Sequence, residues 1–185
     1  MRHHLISLLV VCLFAGCSAG SKSFYVLTAE GPAPTGGGPG IGVGPVNVAE
    51  YIDRSHLVVA QSANQLGVAE NHRWAGDLAA AIGRVTATNL GRRLHTGNVR
   101  TYPWGKDGEL RYQVTLDIRQ LHGAADGYAV IEAGWRAYSL PDGSLKVART
   151  FVDREALETD GYQSLVAAQS RLLCRLADAI AAGLK

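Results

Sequence analysis

The chain has 185 residues, 47% of them hydrophobic, and its 18 Lys and Arg against 16 Asp and Glu give a formal net charge of +2. A chain of this length and composition can bury a core of its own, which excludes disorder over most of its length. The basic residues are scattered, with Arg92 and Arg93 as the only adjacent pair, so nucleic acid is excluded as an expected partner. Three Cys residues without a C-x-x-C spacing exclude a disulfide framework and argue against structural zinc.

The first sixteen residues have the features of a secretory signal peptide. Arg2 precedes an apolar run over residues 5–15, which is too short for a helix that must cross a hydrocarbon core of about 30 Å. The sequence from Phe14 to Cys17, FAGC, resembles the lipobox of bacterial lipoproteins, in which the Cys becomes an acylated N-terminus. We predict a signal peptide over residues 1–16 and lipid attachment at Cys17. The alternative is a signal peptide that merely ends near a Cys.

Acylation at Cys17 would decide where the mature chain resides. Each buried methylene contributes about 0.8 kcal/mol, so the acyl chains of a lipoprotein hold it at a bilayer that the polypeptide does not cross. Ser18 follows the Cys, whereas an Asp there resembles an inner-membrane retention signal. We therefore predict a location on the periplasmic face of the outer membrane. Cys174 would then be the only free thiol, and we interpret it as half-buried and inert.

The mature chain opens with a predicted short strand at residues 24–27 and a Gly/Pro-rich linker at 30–40. We assign residues 17–40 to the lipidated N-terminus, this strand and the linker, and residues 41–185 to a single domain. The glycines at 40, 42 and 44 alternate with apolar residues, which favours a strand over a phosphate-binding loop. Pro45 predicts an edge or a bulge in that strand.

The next elements follow from hydrophobic periodicity. A turn at 49–54 leads into a buried strand at 57–60, and a helix is predicted over residues 73–94 because apolar residues recur near a 3.6-residue period. Residues 110–119 alternate strictly between apolar and polar side chains, which is typical of a strand with one face on a core and the other in water.

Turns at 123–127 and 141–143 join that strand to two further strands, over 128–138 and 145–152, and a helix over 161–184 closes the chain. The order predicts an α+β (or α/β) sandwich, with a largely antiparallel sheet and two long helices packed on one face.

Motifs that would indicate catalysis are missing from the sequence. The His residues of the mature chain lack the i, i+4 spacing of a metal pair, and neither a G-x-S-x-G elbow nor a G-K-[ST] loop occurs. Asp53, Asp117 and Glu132 fit a solvated face better than an acid–base pair. We therefore expect no enzyme activity, no metal and no cofactor, and interpret the chain as a tethered domain that acts by contact.

Several segments, taken in order, resemble the PqiC (YmbA) family of ABC-type transport auxiliary lipoproteins. They are IGVGPV at 41–46, EYIDR at 50–54, NQL at 64–66, AE at 69–70 and RWAGDL at 73–78. Ser55 stands where Pro is common in the family, and Gly76 where Glu is common. The resemblance implies a non-catalytic outer-membrane subunit of an MCE-type lipid transport system, which docks a periplasm-spanning MCE-domain (PqiB-like) protein of the membrane transport complex. A homo-oligomer around such a conduit is compatible with this role.

Tyr51, Asp53, Arg54 and Trp74 are the candidate partner-binding residues, since Tyr, Trp and Arg are favoured at interface hot spots. The alternatives are that Trp74 belongs to the core and that Asp53 and Arg54 only fix a turn. A different function, a periplasmic lipid- or amphiphile-binding lipoprotein, would require a closed apolar pocket of about 300 to 1,000 Å³.

Overall fold

The computed structural model describes residues 21–105 and 109–184, so the predicted signal peptide and Cys17 lie outside the described residues. These ranges contain eight strands and two helices. In chain order they are β1 (Ser23–Tyr25), β2 (Gly40–Val48), β3 (His56–Ser62), β4 (Gln65–Trp74), α1 (Leu78–Arg93), β5 (Val99–Thr101), β6 (Leu110–Gly123), β7 (Tyr128–Ser139), β8 (Leu145–Ala156) and α2 (Tyr162–Gly183).

Strand β6 organises the sheet because it has partners on both edges. One edge pairs with β7 along most of its length, and β7 in turn pairs with β8, both antiparallel. The other edge pairs in parallel first with β2 and then, where Val59 lies opposite Gly123, with β3. Strand β5 extends the sheet beyond β2, while β4 and β1 extend it beyond β3.

The predicted meander β6–β7–β8 is confirmed, but the sheet as a whole is mixed. Four of its seven pairings among the described residues are parallel. Strands β2 and β6 are separated by three strands and a helix, a connection long enough for the crossover that parallel neighbours require. The prediction of a largely antiparallel sheet is therefore only partly correct. The sequence pattern of a single strand does not show whether its neighbours in the sheet are parallel or antiparallel.

The two helices contact each other and share the coverage of the sheet. Helix α1 packs on β2 and β5, and α2 packs on β6, β7 and β8. The predicted placement of two helices on one flat face is therefore confirmed only in part, because the sheet curls and each helix covers a different region. Fully buried aliphatic residues from both helices and four strands fill the space between, among them Ile41, Ile82, Leu116, Ile131 and Leu172.

The prediction of a helix over residues 73–94 is wrong at its beginning. Arg73 and Trp74 end strand β4, which we did not predict, and α1 begins only after Asp77. The Asp77 carboxylate accepts a hydrogen bond of 2.7 Å from the Ala80 amide, a typical N-cap. Only two of the ten residues of β4 are buried, so the strand lacks the alternation by which a half-buried strand is recognised.

The alternation in β6 and β7 is confirmed, with one irregularity. Val114, Leu116 and Ile118 are buried, as are the predicted inward positions of β7. After Ile118 the register shifts, so Arg119 occupies a bulge and Leu121, instead of Gln120, points inward. A second register shift, between Val43 and Val46, places Pro45 at a bulge of β2, as predicted.

The N-terminal strand and the segment after it are part of the folded body. The Thr28 amide donates to Ser170 Oγ at 3.1 Å and the Glu30 amide donates to Asn89 Oδ1 at 3.0 Å, so both helices hold this stretch. Farther on, the Gly38 amide donates to the His95 carbonyl at 3.0 Å. The segment predicted as a linker therefore lies against the end of α1.

Candidate docking surface

The side of β6 and β7 that faces away from the helices is polar. Because the apolar residues of these two strands point toward the helices, their alternate residues point into water. They line an open groove of about 380 Å³. We call this surface the open face and define it by Asn47, Thr115, Asp117, Arg119, Gly134, Arg136 and Thr150.

Arg119 lies at the centre of this surface. Its Nε is 3.2 Å from Asp117 Oδ2, and its Nη1 is 3.1 Å from Glu132 Oε1. The hydrogen bonds to Glu132 and Asp117 raise the pKa of the Arg119 guanidinium. The guanidinium passes over Gly134, where a Cβ atom would lie only 3.1 Å from Nη2. The result is an exposed planar group of donors whose direction is fixed by two carboxylates.

Tyr51 is positioned directly beside Arg119. Its hydroxyl donates to the Arg119 carbonyl at 3.1 Å, and its ring packs edge-on against His122 with 5.8 Å between ring centroids. Burial, with a smaller contribution from the charge of Glu132, raises the pKa of the Tyr51 hydroxyl. The phenol therefore stays protonated and keeps donating.

Asp53 and Arg54 are exposed on the same turn as Tyr51. Backbone hydrogen bonds fix this turn, from the Asp53 amide to the Ala49 carbonyl and from the Arg54 amide to the Ile52 carbonyl. Both side chains are thus available to a partner without being needed to hold the turn together.

Trp74 is next to the turn that carries the other three candidates, since its amide donates to the Ser55 carbonyl at 2.8 Å, but its side chain is buried. It ends strand β4, is 6% exposed and belongs to the hydrophobic core. The structure therefore agrees with the alternative that Trp74 is a core residue. It lies in a strand and not on the predicted helix.

Sequence reasoning missed Arg119 and Glu132 as members of a surface cluster. The alternation of β6 and β7 predicts Asp117 and Glu132 on the polar side of the sheet. It does not predict that both carboxylates pair with the same guanidinium, that of Arg119. The bulge at Arg119 and the register of β6 against β7 bring the three charges together. Neither feature has a local signal in the sequence.

Two further hollows flank the place where β3 meets β6. One, of about 670 Å³, lies between Tyr51, His122 and the β3–β4 hairpin, and the other, of about 670 Å³, lies between Val59, Tyr128 and Leu165. Both hollows are open to solvent, whereas a lipid carrier would need a closed cavity.

Cys174 is buried on α2. Its Sγ atom is 3.1 Å from Arg93 Nη2, and Arg93 also pairs with Asp178. Burial raises the pKa of the thiol, although the charge of Arg93 opposes the shift. A protonated, buried thiol is a poor nucleophile.

Within residues 21–105 and 109–184, no three His, Cys, Asp or Glu side chains are grouped so that they could hold a metal ion. The helices of that part of the chain are also too short or too polar to cross a membrane.

The fold and the open face define an α+β module that curls a mixed sheet around two helices and leaves a polar sheet face uncovered. The model of the family described as ABC-type transport auxiliary lipoprotein component matches residues 25–181, so the chain belongs to this family. The resemblance to the PqiC-like lipoproteins is confirmed by that match.

Crystal structures of other proteins share this fold, and two of them cover most of this chain. One, of an uncharacterized protein, is 22% identical with a TM-score of 0.76, covering 90% of this chain and all of the other. The second, of protein XCC0632 from Xanthomonas campestris, is 16% identical with a TM-score of 0.66, covering 85% of this chain and 92% of the other. Identities this low show the fold alone. No curated protein matches the sequence.

Proposed function

We propose that this chain is a non-catalytic outer-membrane lipoprotein of an MCE-type lipid transport system and docks the periplasm-spanning MCE partner at the membrane. The observation that carries this proposal is the short connection between the predicted anchor and the fold. Ser23, the first residue of β1, follows Cys17 by six residues, which span at most about 21 Å when fully extended. Because β1 is part of the sheet, the edge of the domain that carries β1 stays that close to the bilayer.

The chemistry of the open face suits a protein partner. Interfaces between separately folded proteins have a polar rim, and Arg and Tyr are enriched among the residues that contribute most to binding. Arg119 and Tyr51 are held in place by neighbouring groups, so little side-chain entropy is lost when a partner contacts them. Arg54 is exposed on the turn that carries Tyr51.

The described hollows favour docking over lipid carriage. An apolar ligand needs a site that removes most of its surface from water, whereas the three hollows described above are open grooves. Asp117 and Glu132 also fit poorly as an acid–base pair, because both bind the Arg119 guanidinium.

A pull-down from membranes with the intact lipoprotein tests the proposal. We expect the wild type to recover an MCE-domain protein, and Arg119→Glu to lower the recovery by about tenfold or more, equivalent to about 1.4 kcal/mol. Arg54→Ala should lower it less. Arg84→Glu, a charge reversal at an exposed position of α1, is the matched control and should behave like the wild type.

The outcomes separate system membership from the site. Recovery of no MCE protein by the wild type would contradict membership of the system. Unchanged recovery with Arg119→Glu would contradict the open face as the contact surface, and unchanged recovery with Arg54→Ala would remove Arg54 from it.

A further inference from the structure

Two large apolar side chains are exposed at the edge of the sheet nearest the predicted anchor. Phe24 is 64% exposed and Val26 is 61% exposed. Strand β1 pairs with β4 along one edge, and its other side borders a groove of about 490 Å³ that the beginning of α2 completes. The residues lining this groove include Phe24, Val26, Val166 and Ala167, and none of them is charged. We call this surface the β1 patch.

The β1 patch is held rigidly to the body of the domain. The Tyr25 hydroxyl is within 2.8 Å of His72 Nδ1, and the His72 ring stacks on Tyr162 of α2 with 3.9 Å between ring centroids. Immediately after β1, Leu27 is buried in the core. The strand therefore cannot turn Phe24 and Val26 inward, and they stay exposed at this edge unless something outside the domain covers them.

The length of chain before β1 indicates what covers them. Phe24 follows Cys17 by seven residues and Val26 by nine, so extended chain places them at most about 25 and 32 Å from the acylated residue. Lys22 lies between the anchor and the patch. A basic residue beside exposed apolar side chains is the combination that favours a phospholipid interface.

We propose that the β1 patch rests in the surface of the bilayer that holds the anchor, with phospholipid filling the groove between β1 and α2. This inference rests on the acyl anchor proposed above. An acyl chain and an apolar patch together give two points of attachment, which fix orientation as well as position. The β1 edge then faces the membrane, and β8, at the other end of the sheet, points away from it.

Fluorescence quenching in vesicles tests this orientation. The full-length acylated protein is reconstituted in phosphatidylethanolamine–phosphatidylglycerol vesicles with or without brominated acyl chains, and the wild-type Trp signal is subtracted. An interfacial apolar face lies about 5 to 10 Å into the headgroup and acyl boundary, so we expect brominated lipid to quench Phe24→Trp at least about twofold. Val26→Trp should give the same result independently.

Val152→Trp is the matched control. Val152 is 71% exposed on β8, so the same large side chain is introduced at an equally exposed position on the opposite edge, and we expect no quenching there. Equal signals from Phe24→Trp and Val152→Trp would overturn the patch, as would a strong signal from Val152→Trp alone.

Sedimentation of the same samples separates the two proposals. A protein that sediments with the vesicles but is not quenched at either β1 position overturns the patch and leaves the anchor in place, which would favour a protein partner at the free edge of β1. A protein that does not sediment overturns the anchor and the patch together. Neither result bears on recovery of an MCE protein.

Discussion

Glu155 connects the edge strand β8 to helix α2. Its Oε1 is 2.7 Å from Arg171 Nε and its Oε2 is 2.6 Å from Arg175 Nη1. The hydrogen bond from Arg175 makes the largest contribution to lowering the pKa of the Glu155 carboxyl, and the one from Arg171 adds to it. Together they hold this pKa below its usual value although partial burial raises it. Because β8 pairs with β7 alone among the described strands, this ion pair is a principal polar tie between the end of the sheet and the helix.

The lowered pKa of Glu155 makes stability depend on pH. A carboxyl with a lowered folded pKa contributes stability above its unfolded pKa of about 4.3, and this contribution is lost as the pH falls through the folded value. We expect Glu155→Gln to lower the free energy of unfolding by about 1 to 2 kcal/mol at pH 7. The difference from the wild type should shrink as the pH falls below about 4.

Urea unfolding at several pH values measures this difference. Glu158→Gln is the control, since Glu158 also pairs with Arg171 but is exposed, and it should change stability by less than about 0.5 kcal/mol. A Glu155→Gln deficit that stays constant from pH 7 down to acid pH would show that lost packing, and not charge, is responsible.

At the scale of elements, the Gly/Pro-rich segment shows how a sequence that resembles a linker becomes part of the fold. A Cβ atom on Gly38 would lie 2.2 Å from the Leu94 carbonyl oxygen, whereas a Cβ atom on Gly37 would meet nothing within 4 Å. The segment therefore approaches the end of α1 as closely as a backbone without side chains permits. Composition alone predicted flexibility here, because close approach of one backbone to another has no local signal.

Replacing each of these two glycines with alanine tests this contact. We expect Gly38→Ala to lower the free energy of unfolding by about 1 to 3 kcal/mol, because the new methyl group can be accommodated only by moving backbone. Gly37→Ala should leave stability unchanged or raise it slightly. Chemical denaturation measures the free energy of unfolding of both variants. Equal values for the two variants would mean that the segment is not packed against α1.

The elements that were predicted well share one property: each buries a single face. Strands β6 and β7 and helix α2 lie with one side on the core and the other in water, so the period of their apolar residues matches their geometry. Strand β4 has few buried positions and therefore had no such period. Its last residues were assigned to the helix that follows.

At the scale of the whole molecule, the proposed attachment to the membrane depends on Cys17, which lies outside the described residues. We expect Cys17→Ser to release the protein from envelope vesicles, because without acyl chains the β1 patch alone buries less apolar surface than the single chain that gives only marginal binding. The vesicles are washed with high salt to weaken polar docking, and the protein in pellet and supernatant is compared.

Cys174→Ala is the control for loss of a thiol and should remain in the pellet, since Cys174 is buried in the domain. A Cys17→Ser protein that stays with the vesicles after the wash would contradict the anchor, and with it the proposed position of the domain at the membrane.

The sequence by itself determined features that depend on neighbouring residues, the alternation of β6 and β7 and the helix α2. The signal peptide and the lipid attachment at Cys17, also inferred from neighbouring residues, stay predictions. Family membership also followed from residues quoted in order, and the family model confirmed it. Only the tertiary structure decided the parallel pairing of β2 and β6, the burial of Trp74 and the joining of Arg119 with Tyr51 and Glu132. These depend on contacts between residues far apart in the chain, where register and bulges, and not local periodicity, determine which side chains meet.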